Sequence, residues 1–588
     1  MKNETVIQQL IETVDRFPDR EVFKEKKFGR WEGITWQGFY EEIMLLGRGL
    51  IQLGVEKGDG FVILGPNCTR WVISDLAAIA VGAIPAGIYT TNSPEQCAYI
   101  AGHCEASVAV VQNEQQLQKF KEVREQLPKL KAIILMEGSD EDETVYRWED
   151  VLDMGRSVEE SELQARYEAL KASDVGTLVY TSGTTGNPKG VMLTHENIIW
   201  TSMTMLNFEN ITEKDEWLSY LPLSHIAEQL ITVYGTLASG GCVYFVEDLE
   251  KLGDTLREVR PNFFFAVPRV WEKIKEKMEA AGAENPPLRK MIIRGAKKVG
   301  LYSGYAEQRG ESKPLMYCVA DRIIFSKVKE KLGLDRARLC FTAAAPISRD
   351  TLEFFLALGI PIYEIFGMSE TTGPGTLSLP HRYKTGTCGF PLPGTDIKIA
   401  EDGELLMRGP HIFKGYFKND KATKEAIDED GWLHSGDIAE FDEEGYVKIT
   451  DRKKDIIITA GGKNIAPQMI EGKLKNIPSV EHAVVIGDQK KYLSALITLN
   501  AETLADLANN LGIELQDLSS MAESEKVKSY VAEHIEEVNQ TLSKVEGIKK
   551  FTILGTSFTV DTGELTPTMK MKRKFIYNKY AKEIDGLY

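Results

Sequence analysis

Short apolar runs rich in β-branched and aromatic residues alternate with helical patterns along most of the chain: GFVILGP from Gly60, SVAVVQ from Ser107, KAIILME from Lys131, VGTLVYTS from Val175, CVYFVE from Cys242 and NFFFAVP from Asn262. That alternation predicts α/β layers built on mostly parallel sheets. The most apolar stretch, WVISDLAAIAVGAIPAGIY from Trp71, carries Asp75 and is broken by Gly82 and Pro85. It reads as a buried helix followed by a strand, short of a membrane span. Residues 136–164 are polar and acidic and read as a surface excursion. Over about 385–450 the texture changes to short strands with tight turns, AEDGELLMRGP and FDEEGYVKIT, which predicts a β-rich subdomain. The charged DRKKD segment at 451–455 then precedes a region with its own strands and helices, HAVVIGDQKKYLSALITLN and SEKVKSYVAEHIEEVNQTLSKV. The expected organisation is a large N-terminal body, 1–453, and a small mobile α+β domain, 454–588. Boundaries of this kind tend to fall on exposed charged segments.

Composition narrows the functional classes. The 588 residues are 43% hydrophobic and 27% charged, ordinary globular values. A formal charge of −17 argues against a sequence-independent hold on nucleic acid, which depends on neutralising phosphates. Seven cysteines without a CxxC pair argue for a reducing compartment and against a disulfide framework or zinc site. His103-Cys104 is the one adjacent ligand-type pair and reads as plain structure. The first residues, MKNETVIQQLIETVDRF, are amphipathic and acidic with no signal-peptide core, so a cytoplasmic location is expected.

The densest chemistry lies in YTSGTTGNPKG, residues 180–190. It leaves the carboxyl end of a strand, where α/β proteins gather ligands. Glycines allow backbone N–H groups to turn inward as an anion nest, the hydroxyls of Thr181, Ser182, Thr184 and Thr185 add donors, and Lys189 adds a point charge. Its register matches neither the Walker pattern, since Pro188 precedes the lysine and Gly190 follows it, nor G-x-G-x-x-G. A phosphate-holding loop is the expectation, with a solvated Gly/Thr turn as the plain alternative.

Other positions are ambiguous singly. His225 in LSYLPLSHIAEQ is as readily a satisfied core histidine as a catalyst. Arg269 in FFFAVPRVWEKI reads most simply as a helix-cap arginine. Ser369 and Glu370 follow the strand IPIYEIF and suit either Mg²⁺ or a helix N-cap. Asp437, Asp451, Arg452 and Lys454 offer charges near 435–455, and ELTPTMKMKRKFI carries Lys570, Lys572, Arg573 and Lys574 in what reads alone as a solvated basic tail.

Together and in this order, these segments resemble the adenylate-forming enzymes: acyl-CoA synthetases, peptide-synthetase adenylation domains and firefly-type luciferases. The likeness covers nearly the whole chain. YTSGTTGNPKG, GMSE, GWLHSGD, DRKKD and the terminal lysine segment match family motifs. AVPRVWEKI, DGWLHSGDI, DRKKDIIITAGGKNIAP and ELTPTMKMKRK resemble the long-chain fatty acyl-CoA synthetases, and EIFGMSETTGP resembles their bubblegum-type branch.

The resemblance implies an acid–thiol ligase that uses ATP, coenzyme A and Mg²⁺ to convert a long-chain fatty acid to acyl-AMP and then acyl-CoA. It implies phosphate binding by Thr181, Ser182, Gly183, Thr184, Thr185, Gly186 and Lys189, with Mg²⁺ held by Glu370 and Thr184. Adenine would lie on Phe366, beside Ala343, Ala344, Ala345, Pro346, Glu364, Ile365, Gly367 and Ser369. Asp437 and Arg452 would clasp the ribose, and Lys570 would bridge the carboxylate and the α-phosphate. His225 would border the carboxylate, Lys454 would be the hinge, and Gly461, Gly462, Lys463 and Asn464 would face the thiol. Phe366 stands where most relatives have tyrosine, Ser369 replaces threonine, Ala343 replaces glycine, and Met569 stands where short-chain relatives have glycine. None of these removes a charge. The rival readings are a carrier-protein-loading ligase, a luciferase-type oxygenase and a non-catalytic lipid-binding homologue. A homodimer and peripheral membrane contact are both compatible with the sequence.

Overall fold

The computed structural model describes residues 4–181, 187–460, 463–566 and 569–588. Its largest sheet has eight strands in the spatial order Gly415–Tyr416, Lys189–Thr194, Val175–Thr181, Ile84–Ile88, Gly60–Leu64, Ala106–Val111, Ala132–Leu135 and Val145–Arg147. From Val175–Thr181 onward the neighbours are parallel. The two strands at the other edge run antiparallel. A second sheet pairs Phe263–Ala266, Leu339–Thr342 and Tyr363–Met368 in parallel and continues antiparallel through Gly373–Leu377. A third joins Glu21–Lys27 in parallel to Cys242–Phe245 and antiparallel to Arg30–Thr35. The mostly parallel α/β body expected from the apolar runs is present.

The helix Thr69–Val81 is buried from Trp71 to Val81, and the strand Ile84–Ile88 follows, as read from the sequence. Asp75 is tolerated inside it because Gln229 Nε2 and Tyr234 Oη reach its two oxygens at 3.3 and 3.4 Å. Burial nevertheless pushes its carboxyl up to about 7. Among the described residues no helix is long and apolar enough to cross a membrane.

One expectation fails. Residues 136–164 are not simply a surface excursion: they hold the edge strand Val145–Arg147 and the helix Trp148–Gly155, whose Trp148 and Val151 are buried. The acidic residues on either side masked this short apolar face. Helix Trp148–Gly155 crosses helix Trp36–Gln52 at two glycines. A Cβ on Gly49 would lie 2.3 Å from the Val151 carbonyl oxygen, and one on Gly155 would lie 2.1 Å from that of Leu45.

The β-rich region is a four-stranded antiparallel sheet, Asp396–Ile399, Glu404–Arg408, Leu433–Phe441 and Val447–Arg452. Beyond it, Val480–Ile486, Leu493–Leu499 and Ile548–Leu554 form a three-stranded sheet with helices on it. Its apolar cores draw only on residues from Ile457 onward, whereas the main core of the body stops at Val447.

Either Gly49→Ala or Gly155→Ala should force the two helices apart and lower stability by about 1–3 kcal/mol. A drop in the first thermal unfolding transition is the expected result; an unchanged transition would contradict the close crossing.

Candidate active site

A cavity of about 2380 Å³ opens between the body and the C-terminal unit, lined by residues of both. Three walls matter: a phosphate-type hairpin, a charged cluster and an apolar arm.

The glycine-rich loop joins two antiparallel strands, with Thr181 opposite Lys189 at its base. Ser182, Gly183, Thr184, Thr185 and Gly186 lie outside the described residues. Lys189 Nζ sits 4.4 Å from the centroid of the Tyr416 ring, a cation–π geometry. The Tyr416 hydroxyl donates to Glu370 Oε1 at 2.6 Å. Glu370 lies in the short turn Ser369–Thr371, buried where the strand Tyr363–Met368 ends. Sequence reasoning missed Tyr416, which sits in FKGYFK without a chemical motif. Only its pairing with Val191, on the strand that leaves the loop, brings it to the site.

Asp437 and Arg452 face each other across neighbouring antiparallel strands, with Nε 3.5 Å from Oδ1. Burial pushes the Asp437 carboxyl up to about 6 against the pull of Arg452 and Lys570. Lys570 enters from the C-terminal unit on a tight turn. Met569 N–H donates to the Thr566 carbonyl, Lys570 N–H to Thr566 Oγ1, and Met569 takes φ +61°. That left-handed conformation favours glycine, so methionine there is strained. The ammonium is surrounded by protein yet keeps part of its surface toward the cavity. Burial, then Arg452, push it down to about 8, while Asp437 and Glu370 oppose the shift. His225 caps the short helix Ile226–Gln229, accepting the Ala227 N–H at Nδ1. Burial, then Lys570, push its pKa down to about 3, so the imidazole is neutral.

Ala343, Ala344, Ala345 and Pro346 follow the strand Leu339–Thr342 and line the cavity beside the segment Glu364, Ile365, Phe366, Gly367 and Ser369. Ala344 takes φ +74°. The Glu364 carboxylate accepts the Gly386 N–H at 2.7 Å and is pushed up to about 8 by burial, so its side chain ties down the neighbouring loop. Lys454 stands exposed in the turn after the β-rich sheet, at the cavity rim. Asn464 pairs with Ile458 by backbone register, and Lys463 lies outside the cavity lining. Gly461 and Gly462 lie outside the described residues. The apolar arm is built by Met205, Leu206, Trp217, Leu230, Phe263 and Phe341. The π-helical turn Leu230–Gly235 forms part of its wall, a distortion frequent at functional sites.

Arg269 is not only a helix-start residue. Its guanidinium reaches Glu481 of the C-terminal unit at 3.2 Å, as well as Glu276 on its own helix at 3.4 Å. Lys475 meets Glu272 at 3.3 Å and Lys273 meets Glu502 at 3.1 Å across the same seam. These pairs bridge more than 200 residues of sequence, which explains why local reading could not find them. Among the described residues, no cluster of three His, Cys, Asp or Glu suits a metal.

Comparison with known proteins gives consistent matches. The family model described as AMP-binding enzyme matches residues 10–417, and that of the AMP-binding enzyme C-terminal domain matches 454–588. The chain is 41% identical over 617 residues to the long-chain-fatty-acid–CoA ligase ACSBG2 of Xenopus laevis, covering 99% of this chain and 84% of that one. It is 36% identical to ACSBG2 of Homo sapiens, covering 99% and 92%. Among solved structures, the A domain of a carboxylic acid reductase from Segniliparus rugosus superposes with TM-score 0.76 at 20% identity, covering 100% of this chain and 94% of that one. The anthranilate CoA ligase AuaEII gives 0.73 at 19%, covering 99% and 98%. At such identities these two speak for the fold alone.

Two predictions concern docking of the C-terminal unit. Away from the cavity Lys570 titrates near the ordinary 10.5, and inside it near 8. Docking therefore releases a proton between those values. The docked fraction of the ligand-free protein, read by energy transfer between labels on the two units, should rise from about pH 8 toward 10 and lose that dependence in Lys570→Met; a falling fraction would contradict the burial. Arg269→Glu should shift the equilibrium away from docking by about fivefold, and adding Glu481→Arg should restore it, at about 1 kcal/mol for a partly exposed pair. No change in the single variant would remove the seam from the account.

Proposed function

The chain belongs to the AMP-binding enzymes, and from that premise we propose that it is an ATP-dependent long-chain fatty acid–CoA ligase. It forms acyl-AMP and pyrophosphate, then acyl-CoA and AMP. The observation that carries this reading is the delivery of Lys570 into a cavity that joins an apolar arm to the Asp437–Arg452 pair and Glu370.

A carboxylate resists attack by a thiolate because its charge is delocalised and repels the nucleophile. Adenylation bonds one carboxylate oxygen to the α-phosphorus and so makes it part of a good leaving group, AMP. The acyl chain fills the apolar arm and its carboxylate emerges near His225, whose neutrality adds no charge to compete for the anion. Phe366 offers a face to adenine, and the carboxylate of Asp437 accepts from the ribose hydroxyls. The hairpin with Lys189 cradles the β- and γ-phosphates. As the carboxylate attacks the α-phosphorus, negative charge grows on the α-phosphate oxygens, and Lys570 meets it there. An approaching polyanion favours the protonated ammonium and offsets the burial that holds it near 8. Both steps are matters of positioning and electrostatics rather than covalent chemistry on the protein.

A magnesium ion fits this set of residues. It takes one or two carboxylates and completes its shell with phosphate oxygens and water, and Glu370 is a buried carboxylate beside the phosphate hairpin. Thr184, its proposed companion ligand, lies outside the described residues. When bound, the ion would neutralise phosphate charge. After adenylation the C-terminal unit turns about Lys454, withdrawing Lys570 and bringing the 461–464 segment round to receive coenzyme A. The present position of Lys463 away from the cavity lining suits the first half-reaction. A cytoplasmic site of action fits the free cysteines.

Lys570→Ala should lower acyl-AMP formation by ~10²–10³, measured as fatty-acid-dependent ATP–pyrophosphate exchange, while thioester formation from supplied acyl-AMP stays largely intact. An equal fall in both half-reactions would overturn the division of labour.

A further inference from the structure

Of seventeen large apolar side chains left strongly exposed among the described residues, eight fall between 288 and 323. They sit on two elements that pack together, the helix Pro287–Gln308 and the helical segment beginning Leu315–Ala320. Leu288, Met291 and Ile292 are 65, 64 and 51% exposed on the first; Leu315, Met316 and Val319 are 88, 61 and 49% exposed on the second. The inner sides of both converge on one small core of Ala296, Ala320, Phe325 and Leu358. The exposed rows are therefore not incidental to packing; they face away from it.

The charge of this excursion is opposite to that of the molecule. Residues 287–332 contain eleven lysines and arginines against four acids, a formal +7 in a chain of −17. Three of the four acids are engaged within the excursion: Glu307 with Lys313, Glu311 with Arg309, and Asp321 with Lys329. Arg289, Lys290, Arg294 and Lys298 have no acidic partner among the described residues. Free cations flanking exposed apolar rows on a helix are the chemistry of interfacial binding to anionic lipid. A second protein would have to match both features, whereas a bilayer with acidic headgroups does so without specific geometry.

We propose that the 287–323 helical excursion is a docking surface for an anionic lipid bilayer. Its far end returns to the site: Tyr305 and Gln308 of the same helix, and Arg309 directly after it, line the cavity. The bilayer is also where a long-chain acid partitions. This use of the surface rests on the proposed ligase reading, but binding itself does not, so the two can fail separately.

The test is co-sedimentation of the full-length protein with vesicles of phosphatidylcholine alone or mixed with phosphatidylglycerol, at low and high salt, without ATP or fatty acid. Wild type should bind the anionic vesicles at least about tenfold more tightly and release in salt, since each basic residue near such a surface contributes about fivefold. Lys290→Glu/Arg294→Glu should lose at least about tenfold of that binding, as should Met291→Asp/Leu315→Asp. Thermal unfolding and turnover of a soluble shorter-chain acid should stay at wild-type values in both variants, showing that the fold and the reaction stand. Equal binding to both vesicle types, or variants that bind as wild type, would overturn the proposal. So would a wild-type dimer in sedimentation velocity that Met291→Asp/Leu315→Asp splits without any vesicle binding, which would make the face a self-association surface.

Discussion

An ammonium held inside protein beside two carboxylates and a guanidinium is the interaction on which the rest of this structure depends. Removing Lys570 from water costs free energy, as its pKa near 8 records, and the attraction of Asp437 and Glu370 offsets only part of it. The docked arrangement is thus electrostatically incomplete without an anion. In the proposed ligase cycle, that incompleteness would give the unit a reason to dock when a polyphosphate is present and to leave when it has gone. An ion pair that satisfied Lys570 fully would hold the unit in place and leave no charge to offer the substrate.

The surrounding architecture serves the same balance. The β-rich sheet brings Asp437 and Arg452 opposite each other by register alone. The edge of the large sheet brings Lys189 and Tyr416 up to Glu370, at the end of a strand of the second sheet. Across the seam, the ion pairs of Arg269, Lys273 and Lys475 are partly exposed. Such pairs are worth little each, which suits the opening proposed for this interface, in contrast to the apolar cores on either side.

Much of this was legible in the sequence. The buried strands announced themselves as apolar runs, and Gly82 and Pro85 marked where the helix at Thr69–Val81 stops and the next strand starts. The charged residues of the site could be picked out because their motifs resemble a known family's, although Glu370 and Lys570 had ordinary alternatives when taken singly. What stayed hidden was long-range. Tyr416 reaches Glu370 through strand pairing, Arg269 finds Glu481 across 212 residues, and Trp148 is buried by a helix crossing that flanking acids disguised. The basic apolar excursion at 287–323 carries no motif, and its periodicity does not say which face is left outside.

The most direct test of the central claim is a single turnover without coenzyme A. Enzyme in excess over ATP, given magnesium and a long-chain fatty acid, should release pyrophosphate in an amount matching the acyl-AMP retained on the protein. Release of orthophosphate and ADP instead, or no acid-dependent pyrophosphate with any chain length, would contradict the account.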